Sequence, residues 1–502
     1  TPWPRSTMVG LIAAIEKHSA AKSPSEYRPI TVLSMIYRTY SSIRTKQILR
    51  WIKQYAPEGL MGNMPHMSTT QVWRSLAEQI EHAHYFEYEW SGTVTDVCKC
   101  FNTLPRHVVY YCARHLGLPE FFTKSWMRNV AQIQRRFVVQ GSCSPATWST
   151  TGFPEGDPLS VLSMVLVNFA MHAIVTSKVS PIAVVSYVDN WEAQSSSAQA
   201  TCEAFQAMDS FASALDIRLD KPKTHCWATT TQSRKHLKAD GHTVLLQAKD
   251  LGGHLNYSKR RSNYSLRARI TNTKPLWGWI SRSKAPTYQK LRILYTVAWP
   301  RCLHGIAAVD VGIDHFTTMR AAAMNALRWE KHGSSSIIQF GLFNEPRHDL
   351  WYYAIHTTVM QFRQYCRVEV AFAVLDHLSN HPLVRHAPGP SGVLLARLHA
   401  IHWRWEQDGF IQDHQGFKFS LMDCPIQLLQ LRLDHAWGAM VGHSMSSRAE
   451  FGGLGDIDVA CSTHTFHTFS ITEIALLRVA MNGSFYTRDK QFSSGKFVSK
   501  QC

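Results

Sequence analysis

Two aspartates stand where a carboxylate could hold a divalent cation. Asp96 closes Val94-Thr95-Asp96-Val97, a run that reads as a strand, and the turn after it is Cys98-Lys99-Cys100-Phe101-Asn102. Asp189 follows Pro181-Ile182-Ala183-Val184-Val185-Ser186-Tyr187-Val188, an apolar strand whose abrupt polar ending, Asp189-Asn190, must sit in a hairpin turn. Between them, Thr151-Gly152-Phe153-Pro154-Glu155-Gly156-Asp157-Pro158-Leu159-Ser160 sets two glycines and two prolines just ahead of an apolar helix. The exposed N–H groups of such a helix start favour an anion or a close-packed base pair. A fourth segment, Leu219-Asp220-Lys221-Pro222-Lys223-Thr224, carries Lys223, and an ammonium group near a transferring phosphate can give a proton to the leaving group. Taken singly, each also reads as an ordinary turn, cap or surface residue.

Rigid elements must hold such groups in register. From Thr1 to about Asn256, short β-rich runs alternate with helical segments, the pattern of an α/β or α+β domain. Residues 257–337 turn helical and basic: eleven Lys/Arg, among them Lys259, Arg260, Arg261, Arg267, Arg269, Lys274 and Arg282, lie between Asp250 and the next acid, Asp310. Trp277, Trp279 and Tyr288 are interleaved, which suits a surface that tracks a phosphate backbone, although a solvated helix face has the same composition. Residues 338–502 read as helices broken at His386-Ala387-Pro388-Gly389-Pro390-Ser391-Gly392 and at Phe451-Gly452-Gly453-Leu454-Gly455, with no function written in them.

Composition narrows the partners. Hydrophobic residues at 45% with charged residues at 18% make a folded chain, and 502 residues exceed a single small binding module. The excess of 53 Lys+Arg over 36 Asp+Glu, a net +17, attracts polyanions, nucleic acid first and an acidic membrane surface second. Eleven scattered cysteines without a repeated pair point to a reducing, intracellular compartment, and Cys98 and Cys100, on opposite faces of a strand, read as structural. The longest apolar run, Leu159 to Val175, is interrupted by Ser163, Asn168 and His172, so a core helix is expected rather than a membrane span. The chain starts at Thr1 and stops at Cys502 without a recognisable closing structure, and a fragment of a longer protein is expected.

The order of the four segments joins them. Acid at a strand end, glycine-proline loop with helix, apolar strand with Tyr187-x-Asp189, then Lys223-Thr224 and the Leu251-Gly252 of Asp250-Leu251-Gly252-Gly253-His254-Leu255 resembles the palm motifs of reverse transcriptases over about residues 10 to 256. Glu26-Tyr27-Arg28-Pro29-Ile30-Thr31-Val32-Leu33-Ser34-Met35-Ile36-Tyr37-Arg38 resembles the fingers motif of that family, and Lys17 its earlier basic anchor. Phe101-Asn102-Thr103-Leu104-Pro105-Arg106 is similar to the Phe-Asp-x-hydrophobic-Pro-Arg of non-LTR, LINE-like retrotransposons, and Gly156-Asp157-Pro158-Leu159-Ser160 to their loop ending. Leu476-Leu477-Arg478 and Gly483-Ser484-Phe485-Tyr486-Thr487 look like the approach to a zinc-binding tail, with Cys502 either its first ligand or a free terminal thiol.

The resemblance implies an α+β right-hand polymerase of fingers, palm and thumb, with a ferredoxin-like antiparallel palm sheet and a mainly helical C-terminal region. Residues 1–256 would be fingers and palm, 257–337 a basic thumb or connection, and 338–502 the helical remainder. It implies an RNA-directed DNA polymerase with an RNA template, a DNA primer or target and dNTPs as partners and no membrane, intracellular and in the nucleus where target-primed copying occurs. Asp96 and Asp189 would hold two Mg²⁺ ions about 4 Å apart, with Mn²⁺ able to substitute. Arg28 would grip the triphosphate, and Phe101 would exclude a ribose 2′-OH. Gly152, Phe153, Pro154, Glu155, Gly156 and Tyr187 would shape the pocket, and Lys223 would be the general acid. Lys259, Arg260, Arg261, Arg267, Arg269, Lys274 and Trp277 would meet nucleic acid.

Two positions depart from the family pattern. Asn190 stands where a second Asp is usual and Glu155 where Gln is usual. An amide carries no charge, and a carboxylate on the triphosphate path repels unless a cation compensates. Reduced activity is therefore expected, with Asn190→Asp raising it; a non-catalytic nucleic-acid-binding relic and an RNA-dependent RNA polymerase are the alternatives.

Overall fold

The computed structural model describes residues 3–4, 7–17, 22–23, 26–139, 141–260, 262–329, 336–342, 345–380, 389–446 and 473. The chain divides into two units, Thr1–Val72 with Phe86–Leu251, and Trp73–Tyr85 with Gly252–Cys502. In chain order the elements up to residue 251 are β1 (Val9–Glu16), β2 (Tyr27–Val32), α1 (Met35–Ile52), α2 (Thr69–Tyr85, second unit from Trp73 onward), β3 (Ser91–Asp96), α3 (Cys100–Thr103), α4 (Arg106–His115), α5 (Glu120–Gln132), β4 (Gln134–Val139), β5 (Ser142–Cys143), α6 (Pro158–Lys178), β6 (Ala183–Tyr187), β7 (Asn190–Ser195), α7 (Ala198–Ala214), β8 (His225–Ala228), α8 (Thr231–Ala239) and β9 (Gln247–Asp250).

The central sheet of the first unit has the order β6-β7-β3-β8, and every neighbouring pair is antiparallel. With helices α6 and α7 as its two crossovers, this is the β-α-β-β-α-β arrangement of ferredoxin-like sheets, as expected. The topology fixes where chemistry can sit: β3 and β6 run the same way on either side of β7, so the end of β3 and the β6–β7 turn meet at one edge. A second sheet, β2-β1-β4-β5, pairs β1 antiparallel to β2 and parallel to β4.

Helix α6 starts where the sequence says it must. Asp157 accepts from the Leu159 N–H at 3.1 Å as an N-cap, Pro158 takes the first position, and the Tyr37 hydroxyl donates to the Asp157 carboxylate at 3.0 Å. It is the one helix among the described residues long and apolar enough to cross a bilayer, but its side chains Leu162, Val165, Leu166 and Met171 are buried in the core of the first unit. Its polar interruptions have partners on the β6–β7 hairpin: Asn168 Nδ2 donates to the Val188 carbonyl at 2.9 Å, and His172 Nε2 lies 2.9 Å from Ser186 Oγ.

The described part of the second unit is mainly helical around two cores. One gathers Leu266, Ile280, Trp299, Phe316, Phe340 and Leu350; the other gathers Tyr352, Val359, Phe362, Trp403 and Trp437. The helix Leu350–Tyr365 divides its faces between them, giving Leu350 and Ala354 to the first and Tyr352, Ile355 and Val359 to the second. Helix α2 contributes Glu81, whose buried carboxyl accepts from the backbone N–H groups of Ser391 at 2.8 Å and Gly392 at 3.0 Å, at the start of the helix Pro390–Ala400. The break at 386–392 is described only from Gly389 onward, and the 451–455 break, the 476–478 and 483–487 segments and Cys502 lie outside the described residues.

Candidate active site

Asp96, the last residue of β3, stands directly across from Asn190, the first of β7, and Tyr187 closes the β6–β7 hairpin against the same Asn190. Asp189 therefore occupies the second position of a two-residue turn, one residue from the partner of Asp96. Adjacent strands lie about 4.8 Å apart, so the two carboxylates share one edge of the sheet. The turn is clamped from two sides: the Val97 N–H donates to the Asp189 carbonyl at 2.8 Å, and Asn168, besides holding Val188, accepts from Trp191 Nε1 at 2.8 Å. The clamp holds a conformation that a β-branched residue resists, Val188 at φ 58°, a strain of about 1–3 kcal/mol.

Burial first, and then the Asp96 charge beside it, push the Asp189 carboxyl above the usual carboxylate range, while Lys223 and Arg28 pull it back. Lys223 Nζ sits 2.8 Å from Asp96 Oδ1 and 3.3 Å from Asp220 Oδ2. Partial burial acts to lower the Lys223 ammonium, but its hydrogen bonds with Asp96 and Asp220 prevail and hold it above the usual lysine value. Two neighbouring carboxylates, one partly buried and the other already drawing a cation, fit a site for divalent metal ions.

The glycine-proline loop lies against β2 and α3. Gly152 takes φ 69°, and a Cβ there would come within 2.4 Å of the Asn102 carbonyl oxygen; Gly156 takes φ 104°, with a Cβ 2.7 Å from the Thr31 carbonyl oxygen. Only glycine fits either place. Between them, Glu155 meets its compensation. Burial raises its carboxyl, and Asn102, Arg28 and Lys17 all lower it. Asn102 Nδ2 donates to Glu155 Oε1 at 2.5 Å. In the motifs that these segments resemble, Asp stands at 102 and Gln at 155, so relative to them the acid and the amide have changed places across one hydrogen bond. The exposed Arg28 guanidinium on β2 is felt by both Glu155 and Asp189.

Other expected pocket residues divide. Phe101 is half-buried, and its carbonyl accepts from the Phe153 N–H at 2.6 Å. The Phe153 ring is turned into the core against Trp126, ring centres 5.3 Å apart, which leaves only its backbone for the pocket role expected of it. Asn190, which stands where a second Asp is usual, is 6% exposed, and its Nδ2 donates to Glu192 Oε1 at 2.9 Å and Asp250 Oδ1 at 3.2 Å. Glu192 and Asp250 escaped the sequence reading. Burial, with the Asp250 charge second, pushes Glu192 well above the usual carboxylate range, and burial raises Asp250.

In the basic segment, Lys259, Arg260, Arg267 and Lys274 are exposed. Arg269 gives its guanidinium to the carbonyls of His304 and Gly252, and the partly buried Trp277 packs against Trp299 at 5.7 Å beside a core, so each has a structural role. Arg261 lies outside the described residues. Among the described residues, Cys202, Asp240 and His242 also bring possible metal-binding atoms within 4.8 Å of one another, and His242 Nε2 already lies 3.1 Å from Asp240 Oδ2.

Residues 15–248 match the family described as reverse transcriptase (RNA-dependent DNA polymerase). The matched stretch contains both carboxylates, the glycine-proline loop and Lys223. Among solved structures, the chain is similar to telomerase from Candida albicans in complex with a TWJ fragment of telomeric RNA, at 11% identity and TM-score 0.44, covering 94% of this chain and 66% of that one. It is likewise similar to telomerase from Candida tropicalis with the same kind of fragment (10%, TM-score 0.39, 94% and 65%) and to the apo, C-terminally truncated Candida tropicalis enzyme (11%, TM-score 0.38, 51% and 54%). The chain thus spans between about half and two thirds of the length of these three structures. No curated protein matches it.

Proposed function

We propose that the chain is an RNA-directed DNA polymerase of the non-LTR retrotransposon type, adding dNMP from dNTP to a primer 3′-OH on an RNA template. The observation that carries this reading is the meeting of Asp96 and Asp189 at one edge of the β6-β7-β3-β8 sheet, with Lys223 on Asp96. Non-LTR character rests on the motif resemblance at 101–106 and 156–160.

Asp96 and Asp189 would hold divalent ions, Mg²⁺ by preference for hard oxygen donors, and when bound these supply Lewis-acid activation of the 3′-OH and neutralise the triphosphate. The protein's own groups do the rest. Arg28 and Lys17 receive the triphosphate and offset the Glu155 charge. Phe101, beside the turn after β3, occupies the place of a sugar-excluding ring. As the 3′-OH gives its proton to solvent, its oxygen bonds to the α-phosphorus and the bond to the β-phosphate oxygen breaks, Lys223, held protonated by its acidic neighbours, donates a proton to the departing pyrophosphate. The exposed Lys259, Arg260, Arg267 and Lys274 supply a salt-sensitive hold on nucleic acid. The two departures from the family pattern favour an active enzyme over a relic, because each has a neighbour that satisfies it.

Primer extension on an RNA template with Mg²⁺ or Mn²⁺ tests the reading. Incorporation of dNTP that is lost in Asp96→Ala and Asp189→Ala supports it. Template binding without incorporation by the unmodified chain in either metal means a relic, and a preference for rNTP means an RNA polymerase.

A further inference from the structure

Asn190 and its two carboxyl partners carry a further inference. An ionised carboxylate only accepts hydrogen bonds, and two of them buried together repel unless something donates to them. Here the donor common to both is the Asn190 amide: one N–H goes to Glu192 Oε1 and the other to Asp250 Oδ1, at 2.9 and 3.2 Å. The remaining oxygens, Glu192 Oε2 and Asp250 Oδ2, are buried with no hydrogen-bond partner, and a single proton shared between the two acids would satisfy both. Glu192 is 1% and Asp250 6% exposed, so water has little part in solving the problem. With both N–H groups committed, the amide cannot flip, and the side chain is fixed as the cross-strand neighbour of Asp96.

We infer that Glu192 and Asp250 are positioning residues that hold Asn190 as a two-fold donor beside Asp96, so that this site is matched to an amide at 190 and is harmed by the acid usual in the family. Asn190→Asp removes both of the Asn190 donors, leaves Glu192 to the Gln194 side chain and Asp250 to the Leu251 N–H, and sets a third carboxyl against two buried ones. The sequence expectation that Asn190→Asp raises activity is thereby reversed. An amide placed on the partner instead, as in Asn190→Asp with Glu192→Gln, returns a donor to the cluster.

The activity arm rests on the polymerase reading; the stability arm does not. The full chain is prepared unmodified and as Asn190→Asp, Glu192→Gln, Asn190→Asp/Glu192→Gln and Asn190→Asp/Asp250→Asn, and thermal midpoint and kcat for dNTP incorporation per folded molecule are measured for each. Asn190→Asp is expected to lower the midpoint and to reduce kcat at least about ten-fold, the order of one lost hydrogen bond to a charged group. The double variants are expected to recover most of both losses. An Asn190→Asp chain as stable and as active as the unmodified one, or double variants no better than it, overturns the inference. If Asn190→Asp does not fold, recovery of folding by either double variant supports the pairing and its failure in both refutes it. Should the unmodified chain incorporate nothing, the polymerase reading falls, while the midpoints still decide the pairing.

Discussion

The exchanged pair Asn102–Glu155 gives a prediction whose size follows from geometry. The two side chains meet through one hydrogen bond of 2.5 Å at a half-buried place. Glu155→Gln keeps an amide donor and an oxygen acceptor, so a charge-assisted bond becomes a neutral one, a loss of about 1 kcal/mol. Asn102→Asp instead brings two carboxylates together. At about 4 Å and an effective dielectric near 20 their repulsion approaches 4 kcal/mol, and partial exposure with proton uptake reduces it to roughly 2–3 kcal/mol. Because the pair escapes repulsion by binding a proton, the Asn102→Asp penalty should grow as pH rises from about 5 to 8. Asn102→Asp/Glu155→Gln restores donor and acceptor in the family's orientation, so the double-mutant cycle should show a coupling of at least about 1.5 kcal/mol, some ten-fold in kcat/KM for dNTP. Denaturant unfolding and single-nucleotide incorporation are the assays. Equal losses from the two single changes, or a double variant that loses their sum, would refute the reasoning.

Three further outcomes are expected. On the proposed role of its ring as the barrier to a 2′-OH, Phe101→Ala should narrow the dNTP-over-rNTP preference by at least about ten-fold in the ratio of kcat/KM values; an unchanged ratio removes Phe101 from sugar selection. Lys223→Ala should cut kcat by about 10²-fold with partial rescue by Lys223→Arg, and the unmodified chain should show no loss of this acid between pH 6.5 and 8.5, because its hydrogen bonds with Asp96 and Asp220 raise the ammonium further. Glu81 is pushed up to about 7 by burial, so the native state holds a proton that the unfolded state has lost. Its contribution is complete below about pH 4.5 and falls as pH rises to 7, by up to about 3 kcal/mol, a slope that denaturant titration of Glu81→Gln should not show.

The sequence was most readable where local chemistry and position coincide. Asp96 at a strand end, Asp189 in a tight turn, and Gly152 and Gly156 beside a capped helix are each dictated within a few residues, and their order supplied the fold. The partners of Asn190 were hidden for two physical reasons. Asn190, Glu192 and Gln194 alternate with Trp191, Ala193 and Ser195, which reads as a half-exposed strand, yet all six are buried. Asp250 reaches them from a strand sixty residues away, a pairing no local pattern announces. Asn168 likewise looked like an interruption in an apolar helix, and only the packing of α6 against the hairpin shows it as the clamp on Val188. In the basic run, composition could not tell an exposed cation such as Lys274 from Arg269, whose guanidinium donates to backbone carbonyls.

Helix α2 bears on how the protein can be cut. Its apolar stripe of Trp73, Leu76, Ala77, Ile80 and Ala83 belongs to the second unit, although it is spelled in the middle of the first. A chain ended after Leu251 would keep the stripe and lose what covers it, exposing apolar side chains worth about 1.5–3 kcal/mol for each large one and leaving the buried carboxyls of Glu78 and Glu81 without the backbone donors of Arg367, Ser391 and Gly392. The stretch that matches the reverse transcriptase family is therefore not a portable module, and an excised polymerase domain is expected to aggregate unless α2 is resurfaced or the second unit is supplied in trans.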